Sequence, residues 1–378
     1  MPAPRQGLKL FSVKGINIKL DPSWVIIFLL ISWSLARGVF PRDYQGLSTL
    51  TYWIMGGITA IILFISILLH ELGHSLVGIR HGMRIKGITL FIFGGVAELE
   101  DEPSSPRIEL LMALAGPLVS VLIAGVFFGL EILGKENNFP IPFIATSHYL
   151  WIVNLAIVIF NLVPGFPLDG GRVLRAILWH YSKNVRKATR ITSSIGSGFG
   201  IALIGLGIFA FLQGGIIPGI WYALIGFFLM QAAKLSYQRL AVETTLHKLR
   251  VKDLMSTQPI AVSPDISIHA FVKDFCLKYR HHAFPVVDEE RLVGFISLES
   301  VTQLSQDKWE NKNVGDVMRK DFNTVGIGPD APADVALKQM TSNQLGRLLV
   351  YEDNKAIGIL SLRDLSDFLQ MESEVGRE

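Results

Sequence analysis

The sequence is poor in cysteine and, through its first 240 residues, in acidic side chains. Cys276 is the one cysteine in 378 residues, so no disulfide can form within the chain, which fits a reducing compartment. Residues 1–240 contain eleven of the thirty-two Asp and Glu residues.

The net charge of +3 is too small to indicate nucleic-acid binding. Residues 1–20 lack the apolar core and cleavage site of a secretory signal, so we expect them in the mature protein.

Residues 1–240 contain several long apolar segments with few charged residues. Half of the residues are hydrophobic, and the mean hydropathy is +0.42. A helix that crosses a bilayer needs about 20 apolar residues. The segments that meet or nearly meet this length are 22–37, 51–78, 107–134, 145–163, 191–212 and 215–236. The sequence therefore predicts about six transmembrane helices in residues 1–240, followed by a soluble, charged tail.

Basic residues are divided unevenly between the predicted loops. The segments before the first span and after the second, fourth and sixth spans are rich in Lys and Arg, and the alternate loops are poor in them. By the positive-inside rule, both termini are cytoplasmic. A bacterial plasma membrane is the simplest location, with a plastid or thylakoid membrane as the alternative.

The tail contains an internal repeat. "VKDLMSTQPIAV" at 251 resembles "VGDVMRKDFNTV" at 314, and "LVGFISLESV" at 292 resembles "AIGILSLRDL" at 356. Each copy combines a turn, a helical stretch, two β-rich runs and a closing helix. We predict two α/β units, residues 241–310 and 311–378, which pack as a pair because each is too small to be stable alone.

The motif "HELGH" follows an uncharged stretch that runs from Trp53 to Leu69. Ionisable groups inside a membrane usually mark function. His70 and His74 project from one helix face, where both imidazoles can bind one Zn²⁺ ion. Glu71 lies next to that face and can accept a proton from the attacking water. The alternatives are a chance match and a histidine pair with a structural role.

A catalytic zinc site needs a third protein ligand. Asp169 in "NLVPGFPLDGGRVLRAILW" lies after a Pro–Gly chain break, at the cytoplasmic end of the fourth predicted span. An Asp at this position is also a good helix N-cap, and position alone does not decide between the two roles. His81, His148, His180 and the acidic residues in 98–102 are weaker candidates.

The two motifs together resemble the site-2 protease family of intramembrane zinc metalloproteases, over about residues 15–235. The resemblance implies that His70, His74 and Asp169 bind one zinc ion per chain. Glu71 would activate water, and Asn161 would bind the substrate backbone or the developing oxyanion. An Asn beside a membrane Pro–Gly break can instead bond freed carbonyls. The implied reaction is hydrolysis of a peptide bond in or beside a transmembrane helix of a membrane-protein substrate, in regulated intramembrane proteolysis.

The repeated tail resembles a pair of cystathionine-β-synthase-type (CBS) domains. Such pairs are often regulatory, bind adenine nucleotides and form homo-oligomers, and many carry a Ser/Thr-x-x-Asp element whose Asp holds ribose hydroxyls. The second copy keeps this element as Ser361 and Asp364, whereas the first copy has Ser297 but Ser300 in place of the Asp. The resemblance therefore implies one nucleotide site at most. A tail that only dimerises or positions substrate is the alternative.

The predicted fold class is thus a polytopic α-helical membrane domain, residues 1–240, followed by an α/β tandem CBS domain pair. Two other functions compete with proteolysis: a CBS-regulated transporter or channel, and a catalytically silent membrane-protein binder. A transporter would carry ionisable residues through several spans, but the other spans are almost free of them. A silent relative would lack Glu71 or a metal ligand, and these residues are present.

The segment "GITLFIFGGVAELE", residues 87–100, alternates weakly between apolar and other residues. This pattern favours strand-like structure at the membrane edge, which could pair with an unwound substrate. A plain linker is the alternative.

Overall fold

The computed structural model describes residues 7–375, except 93, 100, 101, 258, 280, 282, 290, 322, 323, 344 and 354. The chain divides into two compact units, Met1–Gln238 and Arg239–Glu378. The boundary between them lies inside one helix, Ile216–His247.

The first unit is mainly helical. Its elements are β1 (Leu8–Val13), β2 (Ile16–Leu20), α1 (Ser23–Ser34), α2 (Phe40–Asp43), α3 (Thr49–Arg80), β3 (Ile85–Phe91), β4 (Gly94–Leu99), α4 (Pro106–Glu136), α5 (Ile141–Asn161), α6 (Asp169–Ser182), α7 (Val185–Leu212) and α8 (Ile216–His247). A π-helical turn joins α1 to α2. Among the described residues, six helices are long and apolar enough to cross a bilayer: α1 with α2, and α3, α4, α5, α7 and α8. The predicted polytopic helical domain is confirmed.

The membrane helices bury several small and weakly polar side chains and expose many large apolar ones. On α3, Thr59 and Ser66 are buried, whereas Ile58, Ile61 and Ile65 are about half exposed. This distribution suits helices in lipid, where small and weakly polar residues allow close approach and large apolar residues face the acyl chains. Small residues at buried positions thus let the helices approach one another closely.

Helix α3 has clear sequence signals at both ends. Ser48 is its N-cap, because the Ser48 hydroxyl accepts a hydrogen bond from the Thr51 amide at 3.1 Å. After α3 ends at Arg80, the chain turns at Gly82, whose φ of 83° favours glycine. These signals place the "HELGH" motif in the last third of the helix.

A sheet with the strand order β1-β2-β3-β4 packs against α3. β1 and β2 form a hairpin whose turn residues, Lys14 and Gly15, both have positive φ. β2 is parallel to β3, and β3 is antiparallel to β4. β4 is therefore an edge strand. The segment 87–100 contributes most of β3 and β4, with residues 93 and 100 outside the described part of the chain.

The second unit has one hydrophobic core for each repeat. Its elements are α9 (Val251–Leu254), β5 (Ser256–Thr257), α10 (Ile268–Ala270), β6 (Ala283–Asp288), β7 (Arg291–Ser297), α11 (Leu298–Thr302), α12 (Val314–Val317), β8 (Gly326–Ile327), α13 (Ala333–Ser342), β9 (Arg347–Glu352), β10 (Lys355–Ser361) and α14 (Leu362–Val375). Val251 of the first repeat lies in the core of the second, and Val314 of the second repeat lies in the core of the first. This exchange explains why the two copies pack as a pair, and the predicted α/β tandem fold is confirmed.

Cys276 lies in the core of the first copy. Burial raises the pKa of its thiol to about 11, so the group stays protonated near neutral pH. The cysteine therefore behaves as a small apolar side chain.

Candidate metal centre

Three side chains from two helices meet inside the first unit: His70 and His74 of α3, and Asp169, the first residue of α6. Nε2 of His70 lies 3.1 Å from Oδ2 of Asp169 and 3.1 Å from Nε2 of His74. The distance from Nε2 of His74 to Oδ2 of Asp169 is 3.3 Å. A tetrahedral zinc ion with bonds of about 2.0–2.1 Å holds its ligand atoms about 3.3 Å apart. The donor atoms and their spacing fit a zinc ion.

Asp169 does not cap its helix. The N-cap residue of α6 is Leu168, which makes no side-chain capping bond. The Asp169 carboxylate points to the two imidazoles instead. Of the two roles that the sequence allows for this residue, the geometry favours the ligand role.

The segment between α5 and α6 is fixed by contacts with neighbouring helices. The Phe166 amide donates a hydrogen bond to the Thr192 carbonyl of α7 at 3.1 Å. The Arg175 guanidinium lies over the Phe166 ring, 5.0 Å from its centroid. A break in the helix at this depth is tolerated only where protein contacts satisfy the freed backbone, and these contacts hold Asp169 in place.

Helix α4 orients both imidazoles. Nδ1 of His74 lies 2.6 Å from the Met112 carbonyl oxygen, and Nδ1 of His70 lies 2.9 Å from the Ser120 hydroxyl. A carbonyl can only accept, so Nδ1 of His74 carries the proton and Nε2 presents its lone pair to a metal. Ser120 can accept from His70 in the same way. Partners of this kind fix the ring orientation of metal-binding histidines.

Gly116 lies between these two partners on α4. A Cβ atom at this position would lie 2.2 Å from Nε2 of His74 and 2.7 Å from Nε2 of His70. The backbone of α4 therefore passes directly beside the metal-binding atoms, an approach that a larger residue would block.

A cavity of about 690 Å³ opens next to the three donor atoms. Glu71, Asn161 and Arg172 line it together with the donor residues, and most of the remaining lining is apolar. Strand β4 passes against Glu71, because a Cβ atom on Gly95 would lie 2.6 Å from Cγ of Glu71. The predicted base, the predicted substrate-binding amide and the three predicted metal ligands thus share one cavity.

The weaker candidates for the third ligand lie elsewhere or have other partners. His81 bonds the Val77 carbonyl, His148 bonds Glu131, His180 contacts the Tyr181 ring, Glu98 pairs with Lys19, and Glu102 pairs with Arg175. Glu100 and Asp101 lie outside the described residues.

A buried ion pair joins α6 to α4. The Nε atom of Arg175 donates to Oε1 of Glu109, and its Nη1 atom lies 3.2 Å from Oε2 of Glu102. Glu109 is completely buried, and Arg175 is 6% exposed. The pair fixes the helix that carries Asp169 against the helix that orients the histidines.

The second unit contains a cavity of about 800 Å³ lined by residues of both repeats. Ser297, Arg319 and Arg347 are among the polar residues that line it. Ser361 and Asp364 are not in this lining; the Ser361 amide and hydroxyl each donate to Oδ2 of Asp364 at 2.7 Å. In the sheet, however, Ser361 is the cross-strand partner of Arg347. The predicted Ser-x-x-Asp element therefore lies next to the cavity wall and caps the start of α14.

These features define a class of protein: a multi-pass membrane metalloprotease with a CBS pair. Residues 58–139 and 131–204 match Peptidase family M50, and residues 251–307 and 314–370 match the CBS domain. The chain is 33% identical to sll0528 of Synechocystis sp. over 369 residues, and this alignment covers 96% of each chain. The chain belongs to Peptidase family M50, the site-2 protease family.

Other relatives extend the same similarity. Rip3 of Mycobacterium tuberculosis is 31% identical over 369 residues, 97% of this chain and 94% of its own. MJ0392 of Methanocaldococcus jannaschii is 32% identical over 365 residues, 95% of each chain. All three relatives are named as zinc metalloproteases, sll0528 and Rip3 provisionally. A solved site-2 protease from M. jannaschii is 30% identical, with a TM-score of 0.41, and covers 61% of this chain and 95% of its own.

Proposed function

We propose that this protein is a site-2-type zinc endopeptidase that hydrolyses a peptide bond in or beside a transmembrane helix of a membrane-protein substrate. The convergence of the His70, His74 and Asp169 donor atoms next to Glu71, in a unit with six helices long and apolar enough to span a membrane among its described residues, carries the proposal. We assign the protease function to residues 1–240 and a regulatory function to the CBS domains, residues 241–310 and 311–378. The biological process is regulated intramembrane proteolysis.

The residues of the cavity divide the chemistry between them. Bound zinc supplies a Lewis acid that polarises the scissile carbonyl and acidifies water. The carboxylate of Glu71 takes a proton from the attacking water and returns it to the leaving amine nitrogen. The side-chain amide of Asn161 donates to a carbonyl oxygen of the substrate backbone. Ser120 and the Met112 carbonyl keep the imidazoles oriented throughout.

The free edge of β4 supports an extended conformation for the substrate. A peptide bond is protected inside a helix, so the substrate must unwind locally before it is cut. An unwound segment needs new partners for its backbone N–H and C=O groups, and an edge strand provides them. Because β4 passes against Glu71, a segment paired with β4 would place its backbone beside the base.

The protein is a multi-pass membrane protein, and we place it in a bacterial plasma membrane with both termini in the cytoplasm. The uneven distribution of Lys and Arg supports this orientation. The "HELGH" motif lies in the last third of α3, whose basic residue in the last turn is Arg80. The cavity is thus expected near the cytoplasmic face, where water can reach it.

Cells that carry Glu71→Gln in place of the wild type should accumulate an uncut membrane-anchored precursor. Glutamine keeps the size of the side chain but cannot accept the proton of water. The measurement is quantitative mass spectrometry of membrane protein fragments from both strains under several stresses. Glu136→Gln, at an exposed position at the end of α4, is the matched control and should leave the fragments unchanged. Identical fragments in wild type and Glu71→Gln under every stress would contradict the proposal.

The CBS pair is proposed to regulate cleavage by binding an adenine nucleotide and to provide a homo-oligomer contact. Helix α8 supports the regulatory role. Trp221 and Ile225 of this helix line the protease cavity, and Leu246 near its end is fully buried in the core of the second CBS copy. The chain thus passes from the first unit to the second within α8.

An Arg347→Ala substitution should weaken nucleotide binding by about tenfold or more, because Arg347 and Arg319 line the CBS cavity and guanidinium groups bind phosphate through charged hydrogen bonds. Ser361 and Asp364 are the proposed ribose contacts. Isothermal titration calorimetry of the full chain in detergent with ATP and with AMP gives the affinity. Arg363→Ala, whose side chain is 88% exposed, is the control. The absence of binding heat with either nucleotide would rule out the nucleotide proposal.

A further inference from the structure

A permanent positive charge lies inside the protease cavity. Of the described residues that line the cavity, Arg172 alone has a side chain that is always cationic. It lies three residues after Asp169 on α6, so both side chains leave the same side of the helix. Arg172 and Glu71 line the same cavity. Arg172 therefore borders the cavity that lies next to the donor atoms of His70, His74 and Asp169.

Arg172 differs from Arg175, its neighbour one turn later. Arg175 is paired with Glu109 and Glu102. In the described part of the chain, no acidic side chain forms an ion pair with Arg172. A cation among mainly apolar walls is costly unless an anion joins it. Among the described residues of the lining, Glu71 and Asp169 would offset the two charges of a bound divalent metal ion, and Arg172 would remain as a net positive charge.

The reaction itself produces the missing anion. Hydrolysis breaks the C–N bond and adds the water oxygen to the carbonyl carbon, so a neutral peptide becomes a carboxylate and an ammonium group. A planar guanidinium binds a carboxylate through two parallel hydrogen bonds. The N-terminal end of α6 lies at the same point and adds a partial positive charge.

We propose that Arg172 binds the carboxylate at the new C-terminus of the cut substrate, an inference that rests on the proposed protease function. The residue therefore stabilises negative charge as it develops on the substrate and holds the amino-terminal product fragment. The cavity is expected to prefer short apolar peptides with a free C-terminal carboxylate over the same peptides as amides.

The test is direct binding of a fluorescein-labelled Gly-Leu-Ala peptide, as its free acid and as its C-terminal amide, to the full zinc-loaded chain in detergent. Fluorescence anisotropy gives the acid-to-amide affinity ratio for wild type, Arg172→Gln and Arg172→Lys. The ratio should fall about tenfold or more in Arg172→Gln and less in Arg172→Lys, which keeps the charge but loses the paired geometry. Arg190→Gln, an exposed arginine on α7 outside the cavity lining, should keep the wild-type ratio.

Two further measurements separate the possible outcomes. Zinc content and thermal unfolding show whether each variant is folded. If Arg172→Gln does not fold, the acid-to-amide ratio of Arg172→Lys tests the proposal. The proposal would be overturned if every folded Arg172 variant kept the wild-type acid-to-amide ratio and changed only the pH profile of cleavage. Arg172 would then act on Glu71 alone. Failure of the wild type to cut any membrane substrate would refute the protease function, whereas the binding ratio can be read without cleavage.

Discussion

Gly116→Ala should produce a protein without bound zinc and without detectable cleavage. The added Cβ atom would lie 2.2 Å from Nε2 of His74 and 2.7 Å from Nε2 of His70, far inside van der Waals contact. To relieve the clash, either α4 must move away or the imidazoles must turn. Both movements break the hydrogen bonds from Nδ1 of His74 to the Met112 carbonyl and from His70 to Ser120.

The same helix offers a matched control for this substitution. Gly125 also lies on α4, but a Cβ atom there would meet nothing within 4 Å. Gly125→Ala makes the same chemical change and should keep one zinc ion per chain and full activity. Elemental analysis of the purified proteins, with circular dichroism to compare helix content, measures the effect. A Gly116→Ala protein that retains stoichiometric zinc would show that α4 does not pass beside the donor atoms.

Arg175→Met should lower the free energy of unfolding by about 3–5 kcal/mol, because it leaves the Glu109 carboxylate buried without its partner. Replacing both residues, as Glu109→Leu with Arg175→Met, should recover most of this loss, since an apolar pair of similar volume removes the uncompensated charge. The measurement is reversible unfolding in mixed micelles with increasing denaturing detergent.

A partly exposed ion pair provides the comparison for Arg175. Lys19 and Glu98 lie 3.0 Å apart, with side chains 31% and 23% exposed. Lys19→Met should change the free energy of unfolding by no more than about 1 kcal/mol, because water screens such pairs. If Arg175→Met were as mild as Lys19→Met, the buried pair would not fix α6 to α4.

The transmembrane helices could be predicted well from the sequence because their signal is local. The predicted segment 51–78 corresponds to α3, Thr49–Arg80, and 107–134 corresponds to α4, Pro106–Glu136. The N-terminal hairpin was not predicted. Its strands, Leu8–Val13 and Ile16–Leu20, are short, and the Lys14–Gly15 turn between them was the available signal.

The residues that support the metal centre could not be predicted from the sequence. "LLMALAGPLVS" in α4 has the pattern of an ordinary apolar span, although Met112, Gly116 and Ser120 all contact the histidines. The partner supplied by Met112 is a backbone carbonyl, which every residue possesses. These positions have a role only because α4 packs on α3, and the local sequence of α4 does not predict that packing.

The CBS pair shows the same division between local and tertiary information. The repeat of 63 to 64 residues predicted two α/β units correctly. The exchange of Val251 and Val314 between the two cores is invisible in the repeat, because both copies carry the same apolar pattern at that position. Ser361 and Asp364 are hydrogen-bonded to each other. Their Ser-x-x-Asp sequence is typical of a helix cap as well as of a nucleotide site, so the sequence alone does not distinguish the two roles.

The boundary between the two units lies inside α8, and under the proposed regulation this covalent link has a thermodynamic consequence. Linkage between two binding sites is reciprocal. If a nucleotide changes the affinity of the cavity for substrate by some factor, bound substrate changes the affinity of the CBS pair for the nucleotide by the same factor. Under the proposed regulation, a nucleotide that favours substrate binding would itself be bound more tightly by a chain whose cavity is already occupied. The affinity of the CBS pair for the nucleotide would then report whether the cavity is occupied.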